Sequence, residues 1–106
     1  MRAVLCALAG LALIAAAPPP APPLAGGWHE IPKAQLAAEV GPAARFAVAH
    51  LPRPHGRLVR IIGAERQVVA GTNLRMVLKL SDGKVWRAVV WRKLDGTLEL
   101  TWFKRV

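Results

Sequence analysis

Asn73-Leu74-Arg75-Met76-Val77-Leu78-Lys79-Leu80-Ser81-Asp82-Gly83-Lys84 decides the fold. Leu74, Met76, Leu78 and Leu80 alternate with Asn73, Arg75, Val77 and Lys79, a period of two that gives a strand one apolar and one basic face. Ser81-Asp82-Gly83-Lys84 then reads as a hairpin turn, because Asp-Gly readily supplies the positive φ that tight hairpins need. Downstream, a second Asp-Gly at Asp95-Gly96 separates strand-like residues 85–93 from 97–104. Upstream, Leu58, Ile62 and Ala64 begin the same alternation, and Gln67-Val68-Val69-Ala70-Gly71 falls between two alternating runs, where a hairpin tip belongs. In the third run Trp86 shares its alternation with Ala88 and Val90 and is expected to face inward. Trp91 shares its face with Arg87 and Val89 and is expected to face outward, beside Arg75, Arg87 and Lys79.

Before residue 57 the period is that of a helix. Leu36, Val40, Ala43, Ala47 and Leu51 recur at spacings of three or four, which describes one apolar face over residues 33–50. Gly41-Pro42 interrupts it; proline lacks the backbone donor and clashes with the preceding turn, so the helix is expected either to kink there or to begin firmly at Pro42. Pro52 and Pro54 end it. With a possible short strand over 28–31, the fold class is α+β: one α-helix packed across a four- to five-stranded antiparallel β-sheet.

The N-terminal stretch has another character. Arg2 precedes an apolar run over residues 3–17, too short for a membrane span of about 20 residues and laid out like a secretory signal, with an uncleaved anchor as the alternative. Cys6 lies in this run, so the mature chain is expected to have no cysteine, which excludes a disulfide framework and a cysteine nucleophile together. The proline block at 18–23 favours extended backbone. The expected organisation is a signal peptide over 1–17, a Pro-rich linker or N-terminal arm over 18–25, and one domain over 26–106. The net charge of +9 suits a polyanion (nucleic acid, lipopolysaccharide or an acidic protease surface) or serves solubility alone. His29, His50 and His55 have no spaced carboxylate or thiol partners, and Asp82 and Asp95 are used as turn residues. No metal or cofactor is therefore expected. Inward positions filled by leucine, methionine, valine and alanine offer no polar pocket for an enzyme.

Several stretches resemble the cystatin family. Gln67-Val68-Val69-Ala70-Gly71 spells its Gln-x-Val-x-Gly signature. Ala44-Arg45-Phe46-Ala47-Val48 is similar to the plant cystatin helix motif Leu-Ala-Arg-Phe-Ala-Val, with Ala43 in place of its leucine. Residues 58–64 and 88–93 resemble the strands that lead into the family's two hairpins, and Gly26-Gly27 falls where the family keeps its N-terminal glycine. The motifs run in family order from residue 26 to residue 106.

The resemblance implies a cystatin-like fold and a reversible inhibitor of papain-like cysteine proteases rather than an enzyme. In the family an N-terminal trunk and two hairpin tips fill the V-shaped active-site cleft without being bound as a substrate. Carried over, the trunk is Leu24, Ala25, Gly26 and Gly27, with Leu24 suited to an apolar subsite. The first tip is Gln67, Val68, Val69, Ala70 and Gly71, although Val68 and Val69 can equally be read as core residues. The second tip is Leu94 and Asp95, where the family typically carries Pro-Trp, and loss of that anchor weakens the expected inhibition. Signal cleavage after Ala25 would delete the trunk; cleavage near Ala16 would keep it. The expectation is a secreted or periplasmic monomer of bacterial type, without membrane attachment once mature. Its expected partner is a papain-like protease and not nucleic acid, with binding of a polyanion through the basic sheet face as the alternative.

Overall fold

The computed structural model describes residues 26–106, so the expected signal peptide, the proline block and the trunk residues Leu24 and Ala25 lie outside the described residues. The elements run in the order β1 (His29–Glu30), a single 3₁₀ turn (Lys33–Gln35), α1 (Leu36–Ala49), β2 (Leu58–Val69), β3 (Gly71–Leu80), β4 (Val85–Arg92) and β5 (Leu98–Arg105). The strands pair only with their sequence neighbours, giving one five-stranded antiparallel sheet in the order β1-β2-β3-β4-β5. Such a meander follows from short turns joining alternating strands, since each hairpin places its two strands side by side.

α1 covers one face of the sheet. Leu74, Met76, Leu78 and Leu80 of β3 and Ala88 and Val90 of β4 are at most 1% exposed. They pack with Leu36, Val40, Ala43, Ala44, Ala47 and Val48 of the helix, and Trp86 joins the same core. The inward tryptophan and the alternation of β3 are thus as the sequence predicts. Trp86 meets Phe103 of β5, with ring centroids 6.0 Å apart.

At Pro42 one of the two expected alternatives is removed: the helix does not begin there, and α1 runs from Leu36 to Ala49 with Pro42 inside it. Leu36, Val40 and Gly41 are buried against the sheet, so packing ahead of Pro42 outweighs the missing backbone donor. In β2, Ile61 packs against the core while Ile62 is exposed, the reverse of simple alternation from Leu58 and Ile62 to Ala64. The cause is two register shifts, between Leu58 and Arg60 and between Ile61 and Gly63. Each bulge adds a residue to one strand and so exchanges inward and outward positions.

The two Asp-Gly turns form as expected, each a three-residue loop with glycine at positive φ. Gly83 (φ +85°) donates to Leu80 and Leu80 to Lys84; Gly96 (φ +90°) donates to Lys93 and Lys93 to Thr97. The strands around the second turn end at Arg92 and resume at Leu98, slightly inside the expected bounds.

Candidate functional site

The site is built from three segments that the meander brings to one end of the sheet. β2 and β3 meet at the first hairpin, whose ladder continues through Gln67↔Asn73 and Val68↔Thr72 to Val69↔Gly71, leaving Ala70 alone as the tip. The five-residue stretch is therefore mostly strand, where the sequence suggested a tip throughout. Thr72 also pairs with Arg92, which puts the second hairpin, Leu94-Asp95-Gly96, at the same end. The third segment arrives along the edge of β2, where the Gly26 N–H donates to the Val68 carbonyl at 3.2 Å. Gly26, Gly27, Gln67, Val68, Val69, Ala70, Gly71, Leu94 and Asp95 are thus gathered, and the Ser81–Lys84 turn lies at the opposite end.

The first hairpin is held from both sides. Gly71 has φ +90°, and a Cβ there would come within 2.3 Å of the Arg92 carbonyl oxygen, so only glycine lets the two hairpins approach this closely. The Trp91 indole N–H of β4 donates to the Ala70 carbonyl at 2.8 Å, and Gln67 accepts from the Asn73 amide at 3.1 Å. Nearer the helix, Arg66 pairs with Glu39 of α1 at 2.5 Å. Val68 is 59% exposed and Val69 half-buried, and neither belongs to the core cluster, so the reading of these valines as core does not hold.

Trp91 is the residue whose part here was missed. Its outward direction was legible from alternation, but its expected cover of Arg75, Arg87 and Lys79 is not what forms. Lys93 lies 5.3 Å from its ring, and Arg75 instead sits 4.1 Å over Trp28 while both its Nε and a terminal nitrogen donate to Glu65. The Trp91–Ala70 bond depends on the distance between a strand and a neighbouring hairpin tip, which periodicity does not encode.

The second hairpin is a self-contained turn. Asp95 accepts hydrogen bonds from the backbone N–H of Thr97 at 2.9 Å and from its hydroxyl at 2.7 Å, and the backbone bond chiefly holds the Asp95 carboxyl below its ordinary value of 3.8. Leu94 at the crest is 84% exposed. Gly26 and Gly27 need no special backbone, since a Cβ on either would meet nothing within 4 Å. Two surface openings among the described residues lie elsewhere: one of about 590 Å³ between α1 and the free edge of β2, and one of about 530 Å³ on the open face around Arg75 and Arg87. The site end therefore presents projecting edges with exposed apolar tips, suited to entering a cleft rather than forming one. Among the described residues no group of three or more metal-ligating side chains gathers.

No protein-family model matches the chain. Individual proteins do: it is 41% identical over 75 residues to cysteine proteinase inhibitor 1 of Actinidia chinensis var. chinensis, across 65% of this chain and 64% of the relative. It is 40% identical over 74 residues to cysteine proteinase inhibitor 12 of Oryza sativa subsp. japonica, across 64% of this chain and 30% of the relative. The chain thus spans less than two thirds of the length of these curated relatives. Both come from plants, which lends no support to the expected bacterial type. One helix across an antiparallel meander, the Gln67-to-Gly71 signature at the first hairpin and these two relatives converge on one likeness: in fold, signature and sequence the chain is similar to the cystatins.

Proposed function

We propose that this protein is a reversible inhibitor of papain-like cysteine proteases, and not an enzyme, whose Gln67–Gly71 hairpin enters the active-site cleft with the trunk beside it. The observation that carries the reading is the gathering of Gly26, the Ala70 tip and the Leu94 crest at one end of the sheet. Val68 and Leu94 supply apolar surface to a cleft, and its burial is the main source of affinity at such contacts. The Ala70 carbonyl accepts from the Trp91 indole, so the tip is already fixed in one conformation before it meets a cleft and loses little freedom on entering it. Gly26 and Gly27 are glycines that the fold does not require; a closely approaching partner surface gives them a reason. Both named relatives are cysteine proteinase inhibitors.

The second tip contributes less than the first, since Leu94-Asp95 stands where the family typically carries Pro-Trp. The trunk contribution of Leu24 and Ala25 belongs to the same proposal, as do export through the N-terminal apolar run, a secreted or periplasmic location and a monomeric state. Amino-terminal sequencing of the exported protein tests the export reading, and a mature chain beginning after Ala25 would remove the trunk from it. Titration of papain tests the inhibition directly. Activity is expected to fall with added protein and to return on dilution; full activity at tens of micromolar inhibitor would rule the proposal out.

A further inference from the structure

The open face of the sheet carries a line of cations that the inhibitory reading does not use. Register places Arg60 directly opposite Lys79 and Arg87 directly opposite Lys104. Lys79 pairs with Val85 and Arg87 lies two residues beyond it, so the two pairs are diagonal neighbours. All four share the face turned away from α1, because Leu78, Leu80 and Ala88 beside them are buried on the other. With about 5 Å between opposite residues and about 7 Å along the diagonal, they form a track of about 17 Å from β2 to β5.

Among the described residues no ion pair joins a carboxylate to any of these four cations. Of the 6 acidic residues in the sequence, Glu39, Glu65 and Glu99 pair with Arg66, Arg75 and Lys93. Asp82 and Asp95 accept backbone N–H groups within their own turns. Glu30 stands opposite Glu65 at the β1 edge and lines the same opening as Arg75 and Arg87, at one flank of the track, without an ion pair to any of its four cations. Like charges directly opposite one another weaken a sheet, so Arg60 with Lys79 and Arg87 with Lys104 cost the fold something that solubility alone does not require. Trp102 adds a second kind of contact. It lies on the same strand and face as Lys104, opposite Val89, and is 45% exposed.

We propose that this face binds single-stranded nucleic acid, with Arg60, Lys79, Arg87 and Lys104 along the phosphates and Trp102 as a stacking platform for a base. At a rise of about 3.4 Å per phosphate the track spans about five nucleotides, and fewer of a more extended strand. An exposed aromatic ring beside a cationic line is what distinguishes this chemistry from bare charge attraction, because every base has a face to stack. The partner differs from the one expected from the sequence, where Trp91 was the outward candidate; Trp91 is tied to Ala70, and Trp102 is the exposed indole. The proposal does not depend on the inhibitory reading.

The test is fluorescence anisotropy of a labelled twelve-residue oligothymidylate titrated with the protein at several salt concentrations, beside a heparin competition. Saturable binding is expected, with log affinity falling against log salt at a slope of about −3, the value for four phosphate contacts on a single strand. Arg87→Ser with Lys104→Ser is expected to halve that slope, and Trp102→Leu to weaken binding about tenfold at constant slope. Circular dichroism of each variant establishes that it is folded, independently of any protease assay. Absence of saturable binding at low salt, or a folded double variant with unchanged slope, would overturn the proposal. So would Trp102→Leu with unchanged affinity, or heparin displacing the oligonucleotide at far lower concentration irrespective of residue 102, since either outcome assigns the face to a sulfated polymer or to charge alone.

Discussion

The two hairpins at the functional end are built on opposite plans. The first is narrow and braced from outside: Ala70 is its whole turn, Trp91 of the neighbouring strand holds the Ala70 carbonyl, Gly26 bonds Val68, and Gly71 lets Arg92 come close. The second is wider and braced only by itself, through the Asp95 carboxylate and the backbone bonds around Gly96. Affinity in a cleft depends on apolar contact made without a large ordering cost. A tip already fixed by its neighbours meets that requirement, whereas a tip that carries one exposed leucine contributes little beyond shape.

The largest effect is expected from breaking the brace at Gly71. Gly71→Val forces a β-branched residue to φ +90° against the Arg92 carbonyl, with strain of about 3 kcal/mol. The hairpins should part, raising the papain inhibition constant by about two orders of magnitude, while circular dichroism still reports the sheet. A folded variant of undiminished potency would show that the close approach of the hairpins does not matter to inhibition.

The plan of the second hairpin can be changed toward the family pattern. Leu94 occupies the second position of a turn closed by the Gly96-to-Lys93 bond, a position that proline tolerates. Asp95→Trp supplies an aromatic anchor worth about 2 kcal/mol or more, but it removes the two hydrogen bonds from Thr97 that hold the turn. Leu94→Pro with Asp95→Trp should therefore tighten binding by about fivefold to tenfold, chiefly through slower dissociation from papain. Dissociation that is unchanged or faster, in a variant that circular dichroism shows to be folded, would mean that this hairpin stays outside the cleft.

A subtler change probes the link between the two. Trp91→Phe keeps an aromatic ring, though a smaller one, and deletes the N–H that holds Ala70, a loss of about 1 kcal/mol, and inhibition should weaken about fivefold, with the thermal midpoint lowered in step. Equal inhibition and stability would reduce that bond to decoration. The smallest effect is one of pH. Because the folded Asp95 carboxyl is depressed below 3.8 by the Thr97 N–H, its contribution is complete above that value and is lost as pH falls through the lower folded value. The Thr97 amide resonance should titrate with a midpoint below 3.8, and Asp95→Asn should remove the titration; a midpoint at or above the ordinary value would contradict the hydrogen bonding described here.

How much of this was legible depended on range along the chain. β3 and its turn follow from alternation and Asp-Gly, both local signals, and Trp86 was correctly turned inward on the same grounds. β2 was misread at Ile61 and Ile62 because its bulges are set by pairing with β3 and not by β2's own residues. Which of the two alternatives at Pro42 holds is decided by the burial of Leu36 and Val40 against the sheet, which local propensity does not contain. At the site, the signature residues and their common end could be read through the family likeness. The Trp91 bond and the close contact of Gly71 with Arg92 could not, since they are distances between separate hairpins.

The most direct measurement is a hydrogen-exchange footprint of the protein with and without papain. Protection is expected over Gly26–Trp28 and Val68–Thr72, with a smaller gain at Leu94–Thr97 and none at the opposite Ser81–Lys84 turn. Protection confined to the Ser81–Lys84 end, or a first hairpin no better protected than the second, would contradict the account.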